Sequence, residues 1–361
     1  MLLSEVRQPR LAVFANGDPV AGVMSAQVLS NNHRAADRFV LTVALAADPS
    51  AMSFWSGTPD IMVDIRMSQD GASFTSLVQG TADFVEIDVV RGILHAEGRD
   101  MTAVLIESFT QETFANRTSS EIAAILAGRH NLQPIVTQTD TPVGRYYQNE
   151  HDRITLNQFS RAMTEWDLLV FLAQQEGFDV FVQGHDLHFQ PPAGADGGVV
   201  LTPDDLIDLR LERALNFARG IEVTVKSWNS RQQAAFSQTA RVSGLATSLQ
   251  ETGSSTPQRY VLVKPNLTAD QAMQLAQQKL AELSRHERVI ALTMPGETAL
   301  TARSLVTLQG TGSEFDQTYF LDSIERSIHY ENGFVQHLRC KNQAPVSQAT
   351  TPTDIVAAVT G

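Results

Sequence analysis

The residues of this chain that could do chemistry are few, and their spacing excludes most of the chemistries they suggest. Gly310-Thr311-Gly312, with Glu314 and Asp316 close behind, invites two readings: a phosphate cradle and a calcium loop. A dinucleotide fingerprint needs a strand before it, a helix after it and a third glycine. Here Tyr319, Leu321, Ile324 and Ile328 follow without a helical stripe, so a strand is expected after the glycines. A calcium loop needs several carboxylates at alternate positions and a closing Glu. Glu314 and Asp316, with Phe315 between them, fall short of that, and the stretch is expected to be a hairpin loop.

His185-x-x-His188 could be half of a metal site, but no third ligand has a recognisable spacing and no HExxH helix exists. The two are expected to decorate a turn and a strand. Cys340 lies near His337, yet an odd offset along a strand puts them on opposite faces. Being the single cysteine, it allows neither an intrachain disulfide nor a multi-cysteine zinc site. No GxSxG elbow occurs. With 40 Asp and Glu some carboxylate pair always lies within reach, so such a pair carries no glycosidase signal. The sequence therefore predicts no catalytic residue, no metal ligand and no cofactor site.

The elements around these residues read as β-rich. Residues 1–108 are strands and turns: LAVFANGDPVAGV turns at Asn16-Gly17, which tolerates the positive φ of a type I′ turn. RFVLTVAL, DIMVDIRM and SLVQGTADFVEIDVVRGILHAEGRD follow as further strands. Many short strands with regular turns suggest a barrel or sandwich. From 109 to 190 the texture turns helical. Thr118 with Glu121, and Thr155 with Gln158, are capping boxes. TEWDLLVFLAQQEGF sets Leu168, Leu169 and Leu172 on one helix face and stops at Gly177. FDVFVQGHDLHFQP reads as a hairpin turning at Gly184-His185-Asp186.

PPAGADGG at 191–198 is a linker by composition. Strands resume at RGIEVTVKSW, and the polar stretch 229–258 is expected to be a long exposed hairpin or loop. Thr268 with Gln271 caps a helix at about 268–286, with Ala272, Ala276, Leu280 and Leu283 as its buried stripe. The chain closes on strands through FVQHLRCKN, after a turn at Glu331-Asn332-Gly333. LVQGT at 77–81 recurs as TLQGT at 307–311, an echo that two related β domains would explain.

The chain has 361 residues, enough for two or three domains. A net charge of −13 disfavours gripping a phosphate backbone, which needs clustered Lys and Arg. The N-terminus lacks the pattern of a secretory signal, and no run reaches the ~18 apolar residues of a membrane span. The expected site of synthesis is the cytoplasm, with no membrane insertion by this chain.

Four blocks in order resemble the late control protein D family, the baseplate hub proteins of contractile phage tails, and the hub region of type VI secretion VgrG spikes is similar. They are GRDMTAVLIES at 98–108, SSEIAAILAGRHNLQPIV at 119–136, EWDLLVFLAQQEGFDVFVQGHDLHFQP at 165–191 and FDQTYFLDSIERSIHYENGFVQHLRCKN at 315–342. The third is the most specific. The resemblance implies an α+β, mainly β fold: two tail-tube-like antiparallel β-barrels with α/β insertions. Laid on this chain it gives a first barrel at 1–108, an α/β insertion at 109–195, a second barrel at 196–345 with its inserted helix, and a C-terminal tail at 346–361.

It also implies a structural, non-enzymatic role in the virion tail baseplate. Three copies would form a ring that adapts the sixfold tail tube to the threefold central spike. The partners would be further copies of the chain, the spike protein, the tube and other baseplate proteins. DNA would pass through the lumen without adhering, because fixed negative charge offers no gain from counterion release. VgrG chains continue into an OB-fold and a β-spike, so here the spike is expected to be a separate polypeptide, with DIVAAVTG as its docking segment. Two other classes stay open. A tail-associated peptidoglycan-degrading enzyme would need a cleft with a catalytic acid or nucleophile. A receptor- or polysaccharide-binding module would need exposed aromatics, yet Trp55, Trp166 and Trp228 are scattered.

Overall fold

A computed structural model describes residues 8–32, 34–110, 114, 117–140, 143, 164–192, 198–215, 220–229, 234–242, 258–265, 267–330, 333–342 and 349–350. Its elements in chain order begin with β1 (Arg10–Ala15), β2 (Asp18–Pro19), β3 (Val23–Asn31), β4 (Arg38–Ala44), α1 (Ala51–Gly57), β5 (Met62–Ser68), β6 (Thr75–Asp88), β7 (Ile93–Asp100) and α2 (Thr102–Glu107). Then come α3 (Ser119–Arg129), β8 (Gln133–Val136), α4 (Glu165–Glu176), β9 (Asp179–Gln183), β10 (Asp186–Gln190), β11 (Val199–Leu201), β12 (Asp208–Arg213), β13 (Ile221–Asn229), β14 (Ala234–Val242) and β15 (Gln258–Val263). Last are α5 (Ala269–Ser284), β16 (Arg288–Pro295), β17 (Leu305–Leu308), β18 (Thr318–His329), β19 (Gly333–Asn342) and β20 (Ala349–Thr350). The fold is α+β and mainly β, as the sequence suggests.

The chain divides into two compact units. One comprises Met1–Asp196, Thr293–Arg303 and Asp322–Leu338; the other comprises Gly197–Leu292, Ser304–Leu321 and Arg339–Gly361.

In the first unit, strands β3-β4-β7-β6-β5-β1-β2 are successive hydrogen-bonded neighbours, and Ser323–His329 of β18 adds to β3. Alternation sorts the side chains: Phe39, Leu41 and Val43 of β4 point inward and are buried. They share one cluster with Val13 of β1, Val28 of β3, Val63 and Ile65 of β5 and Leu94 of β7. Strands from both ends of the path meet in that cluster, so the sheet curls around it. Each such side chain contributes roughly 2 kcal/mol through burial. The curl is tight where β6 and β7 cross over Phe39. A Cβ on Gly98 would lie 2.2 Å from the Thr81 carbonyl oxygen and 2.4 Å from the Phe39 ring. The β6–β7 register shifts between Ala82 and Phe84, a bulge of the kind that bends a strand.

Two helices interrupt the stretch 1–108 that the sequence reading gave wholly to strands and turns. Ala51 and Trp55, four residues apart, bury one face of α1, and Leu105 anchors α2 in the core. A few apolar contacts suffice to fix so short a helix, and helices of seven and six residues, under two turns each, leave no repeating stripe to read.

The rest of this unit is an α/β module. Helices α3 and α4 cover a sheet ordered β8-β10-β9, and Leu126, Leu169, Leu172, Val180, Leu187 and Phe189 fill the layer between. The helix starts are those the sequence marks. The Thr118 hydroxyl accepts from the Glu121 N–H at 3.3 Å, and Glu121 Oε2 accepts from the Thr118 N–H at 3.0 Å. Thr164 caps α4 by accepting from the Asp167 N–H, and Gly177 ends it in the left-handed region at φ 71°. Thr118→Ala is expected to lower the unit's stability by about 1 kcal/mol, read as a smaller denaturation midpoint at unchanged slope. The Thr155–Gln158 box lies outside the described residues.

In the second unit, α5 packs on one face of a sheet ordered β15-β13-β14-β20. Val223, Val225, Ala240, Ala272, Ala276 and Leu280 form that core. The reciprocal Thr268–Gln271 box starts the helix as expected. Within the stretch 229–258, β14 pairs antiparallel with β13, while 243–257 lie outside the described residues. β11 pairs parallel with β17, which pairs antiparallel with the start of β18. The expected docking tail, 346–361, lies outside the described residues except Ala349–Thr350, which pairs with β14.

The strand pairs are mainly antiparallel; β8–β10, β11–β17 and β13–β15 are parallel, and each joins strands with a long crossover between them, which parallel pairing requires. One expectation needs correction. The LVQGT and TLQGT echo does not mark equivalent positions. Gly80 lies inside β6, where a Cβ would meet the Arg99 carbonyl, whereas Gly310 lies in a loop at φ 85°.

Candidate functional site: a buried ionic junction

The residues singled out for chemistry are dispersed and each is used locally. In the second unit, β17 and β18 form a hairpin whose loop is GTGSEFDQ. Asp316 Oδ1 accepts from the Thr311 N–H at 3.0 Å and from its hydroxyl at 2.6 Å, and Oδ2 accepts from the Gly312 N–H at 3.0 Å. The Thr311 hydroxyl first, and these amides after it, hold the Asp316 carboxyl below the ordinary carboxylate range. The amides that a phosphate would need are therefore turned onto the chain's own carboxylate. Glu314 pairs with the buried Arg288 at 2.5 Å, and Tyr319 donates to the Phe315 carbonyl at 2.8 Å. The loop is a closed hairpin loop.

His185 and His188 part company. His185 contacts Gln79 Oε1 through Nδ1 at 3.3 Å, while His188 stacks on Phe181 with ring centroids 4.4 Å apart. Burial first, then the Arg303 charge, lowers the His188 pKa, with Asp186 opposing. Among the described residues no group of three His, Cys, Asp or Glu could hold a metal. Cys340 is buried and His337 is exposed beside Thr293, on opposite faces of β19 as alternation requires.

What the sequence reading missed is a cluster of buried charge in the first unit. Asp37 stands just before β4 and Asp100 ends β7; the Asp100 N–H donates to the Asp37 carbonyl at 2.9 Å. Asp37 Oδ1 accepts from the Asn31 N–H at 2.9 Å and from Asn31 Nδ2 at 3.1 Å. Asp100 accepts from the Thr102 N–H and hydroxyl, both at 3.1 Å. Burial pushes the Asp37 carboxyl up to about 6. Burial, and after it the charge of Asp37, pushes Asp100 up to about 7.

Two arginines answer these acids. Arg326 is buried on the same face of β18 as Ile324; its Nε donates to the Glu297 carbonyl at 3.0 Å and its Nη2 to the Leu300 carbonyl. Glu297, also buried, accepts from the Ala299 N–H at 2.7 Å, which closes the segment that Arg326 grips. Arg303 lies 3.3 Å from the centre of the Phe181 ring, a cation–π contact, and is attracted by Asp37, Asp179 and Asp100. Burial pulls both guanidinium values down to about 10, so both stay charged at neutral pH.

Four pieces of chain meet here: the β4 and β7 ends of the curled sheet, the 293–303 segment, β18, and β9 of the α/β module. Carboxyls that titrate near neutrality could in principle move protons. Here their oxygens are committed to the Asn31 and Thr102 donors. The arrangement fastens the module and the 293–303 segment to the sheet. One signal was legible: Arg326 falls on the buried parity of TYFLDSIERSIH. Asp37 and Asp100 sit at strand ends, where acids are ordinary.

A family model described as the Alg8 N-terminal domain matches residues 81–330, more than half of the chain. The matched span runs from β6 through the α/β module to the end of β18. No curated protein matches at a significant level of sequence similarity. Solved structures match over nearly the whole chain. The prophage MuSo2 43 kDa tail protein from Shewanella oneidensis is 15% identical with a TM-score of 0.70, covering 94% of this chain and 100% of that one. The tail protein from Neisseria meningitidis MC58 is 14% identical with a TM-score of 0.66, covering 93% and 97%. The E. coli c3393 protein, described as a component of the type VI secretion system with structural similarity to T4 tail proteins gp27 and gp5, is 10% identical with a TM-score of 0.53, covering 96% and 80%. At these identities the comparisons show a shared fold, and that fold is the one found in phage tail proteins.

Proposed function

From the premise that the chain belongs to the Alg8 N-terminal domain family and carries the phage tail protein fold, we propose that it is a structural baseplate hub of a contractile phage, or phage-derived, tail. The single observation that carries this reading is the whole-length likeness to tail proteins, which spans both compact units and not one module alone. The proposal includes the late control protein D assignment, the barrel–insertion–barrel division at 108 and 195, the homotrimer, and its place between tube and central spike. It also includes a lumen through which DNA passes. On this reading the chain turns over no substrate: its ionisable groups at the buried junction are spent on fastening one element to another. The junction suits a hub, which must hold its parts in fixed geometry under load.

A second reading, a hub component of a type VI-like injection machine, is favoured by the likeness to the E. coli type VI component. Both readings require ring assembly. Light scattering of the purified chain, alone and with the spike and tube proteins of the same particle, is expected to give a three-copy mass. A single-copy mass in every mixture would overturn the hub reading. A zone of clearing by the purified chain in a peptidoglycan gel would replace it with the enzyme reading.

A further inference from the structure

On an acidic chain, one part is basic. Between Arg219 and Arg285 there are eight Lys and Arg against four Asp and Glu, whereas the whole chain carries −13. That stretch holds β13, β14, β15 and α5, and α5 covers only one face of the sheet. Among the described residues the other face presents exposed side chains. Trp228 of β13 and Val261 and Val263 of β15 are exposed there, Val263 to 75%. Lys226 pairs in register with Val263, and Arg259, two residues before Val261 on the same face, is 67% exposed at its side chain while sharing Glu222 with Arg241. Among the described residues β15 is also an edge strand with no proline along it, a strand that further pairing can extend.

The first unit carries a surface of the opposite character. The hairpin of β6 and β7 ends in Val89 and Val90, exposed to 67% and 97%. Phe84, on the same hairpin, is exposed as well, and stands across from Glu97; Glu86 stands across from His95. Glu86 and Glu97 are exposed. The tip is held in shape: Asp88 Oδ1 accepts from the Arg91 N–H at 2.9 Å, and Gly92 takes the left-handed φ of 67° that the turn needs. An exposed Val-Val pair on an ordered turn loses little entropy on docking, and burying it removes apolar surface from water.

We propose that the β6–β7 hairpin of one copy docks on the open β13–β15 sheet face of a second copy. Apolar tip meets apolar face, and Glu86 and Glu97 meet Lys226 and Arg259. The two surfaces are different patches, so the contact is head-to-tail, and head-to-tail contacts close into rings when the rotation allows. The inference deepens the hub reading and rests on it by naming the surfaces that would join the subunits.

The test is charge reversal with rescue, read by light scattering over a concentration series of the full chain. Lys226→Glu with Arg259→Glu, or Glu86→Lys with Glu97→Lys, is expected to weaken self-association at least tenfold. The four substitutions together are expected to restore it. Val263→Thr is expected to weaken it independently of charge, and the melting temperature of each variant separates lost docking from lost folding, since Arg259 also pairs with Glu222 of its own chain at 3.8 Å. Single-side variants that assemble like wild type, or a combination that fails to restore assembly, would overturn the docking and leave the ring reading standing. A two-copy mass with charge rescue would keep the docking and overturn the ring. A wild-type chain that stays single-copy at every concentration, alone and with spike and tube proteins, would overturn both.

Discussion

Gly98→Ala is expected to be strongly damaging to the first unit. The added Cβ would lie 2.2 Å from a backbone oxygen, that of Thr81, and 2.4 Å from the ring of Phe39. Neither neighbour can yield cheaply. Thr81 sits where the β6–β7 ladder is already bulged, and Phe39 is packed at 1% exposure against Leu41, Val28 and Ala96. Overpacking of a tight core costs roughly 1–3 kcal/mol when side chains can adjust. Here backbone must move as well, so a loss of about 3 kcal/mol or more is expected, a large share of a typical 5–15 kcal/mol stability. Gly57→Ala is the matched control. Nothing lies within 4 Å of its added Cβ, and the residue ends α1 with an ordinary negative φ. That variant is expected to be neutral or more stable by a few tenths of a kcal/mol. Urea unfolding of the two variants side by side checks both; equal midpoints would refute the account of the sheet's tight crossing.

The comparison also shows which features a single sequence can reveal. Local rules were legible: the Thr118–Glu121 and Thr268–Gln271 boxes, the Gly177 stop and the Gly184 turn all act within a few residues, and all appear where the pattern puts them. The alternation that separates His337 from Cys340 is equally local. The parallel pairings were not legible, because β13 finds β15 across β14, and no local signal fixes which strand lies on its far side. The junction was hidden for the same reason. Asp37, Asp100, Arg303 and Arg326 are separated by up to hundreds of residues, and each is ordinary in its own neighbourhood. Of these four, only Arg326, a charge between Ile324 and Ile328 on a buried strand face, broke a local rule. A charge on a buried face must have partners, and that inference was available before any partner was known. The two exposed surfaces behind the docking proposal were half legible. Val89-Val90 beside the Arg91-Gly92 turn could have been read as an exposed apolar tip, but which face of β13 the helix leaves open could not.

The junction makes the fold's stability rise toward acid, against the usual behaviour of paired carboxylates. Asp100 titrates at about 7 in the folded chain, against 3.8 when free of its surroundings, and Asp37 at about 6. Between pH 4 and pH 7 the folded state therefore holds protons that the unfolded state has released. Stability falls wherever the folded state binds more protons and pH rises. The penalty is absent below about pH 4, grows as pH climbs, and is complete once Asp100 has ionised just above 7. At 1.36 kcal/mol for each pKa unit, Asp100 alone could contribute up to about 4 kcal/mol of slope, and relaxation of the cluster brings the expected figure nearer 2 kcal/mol. Asp100→Asn removes the titration and keeps the geometry: its carbonyl can accept from the Thr102 N–H and its amide can donate to the Thr102 hydroxyl. Arg303 retains Asp37 and Asp179. Urea midpoints measured from pH 5 to pH 8 are thus expected to decline for the wild type and to flatten for the variant. The variant is expected to be the more stable of the two at pH 8 and close to wild type at pH 5. A wild-type midpoint that rises over this range would mean that Arg303 and Arg326 outweigh burial and hold both acids ionised, which would turn the junction from an acid-favoured fastening into an ordinary buried ion pair.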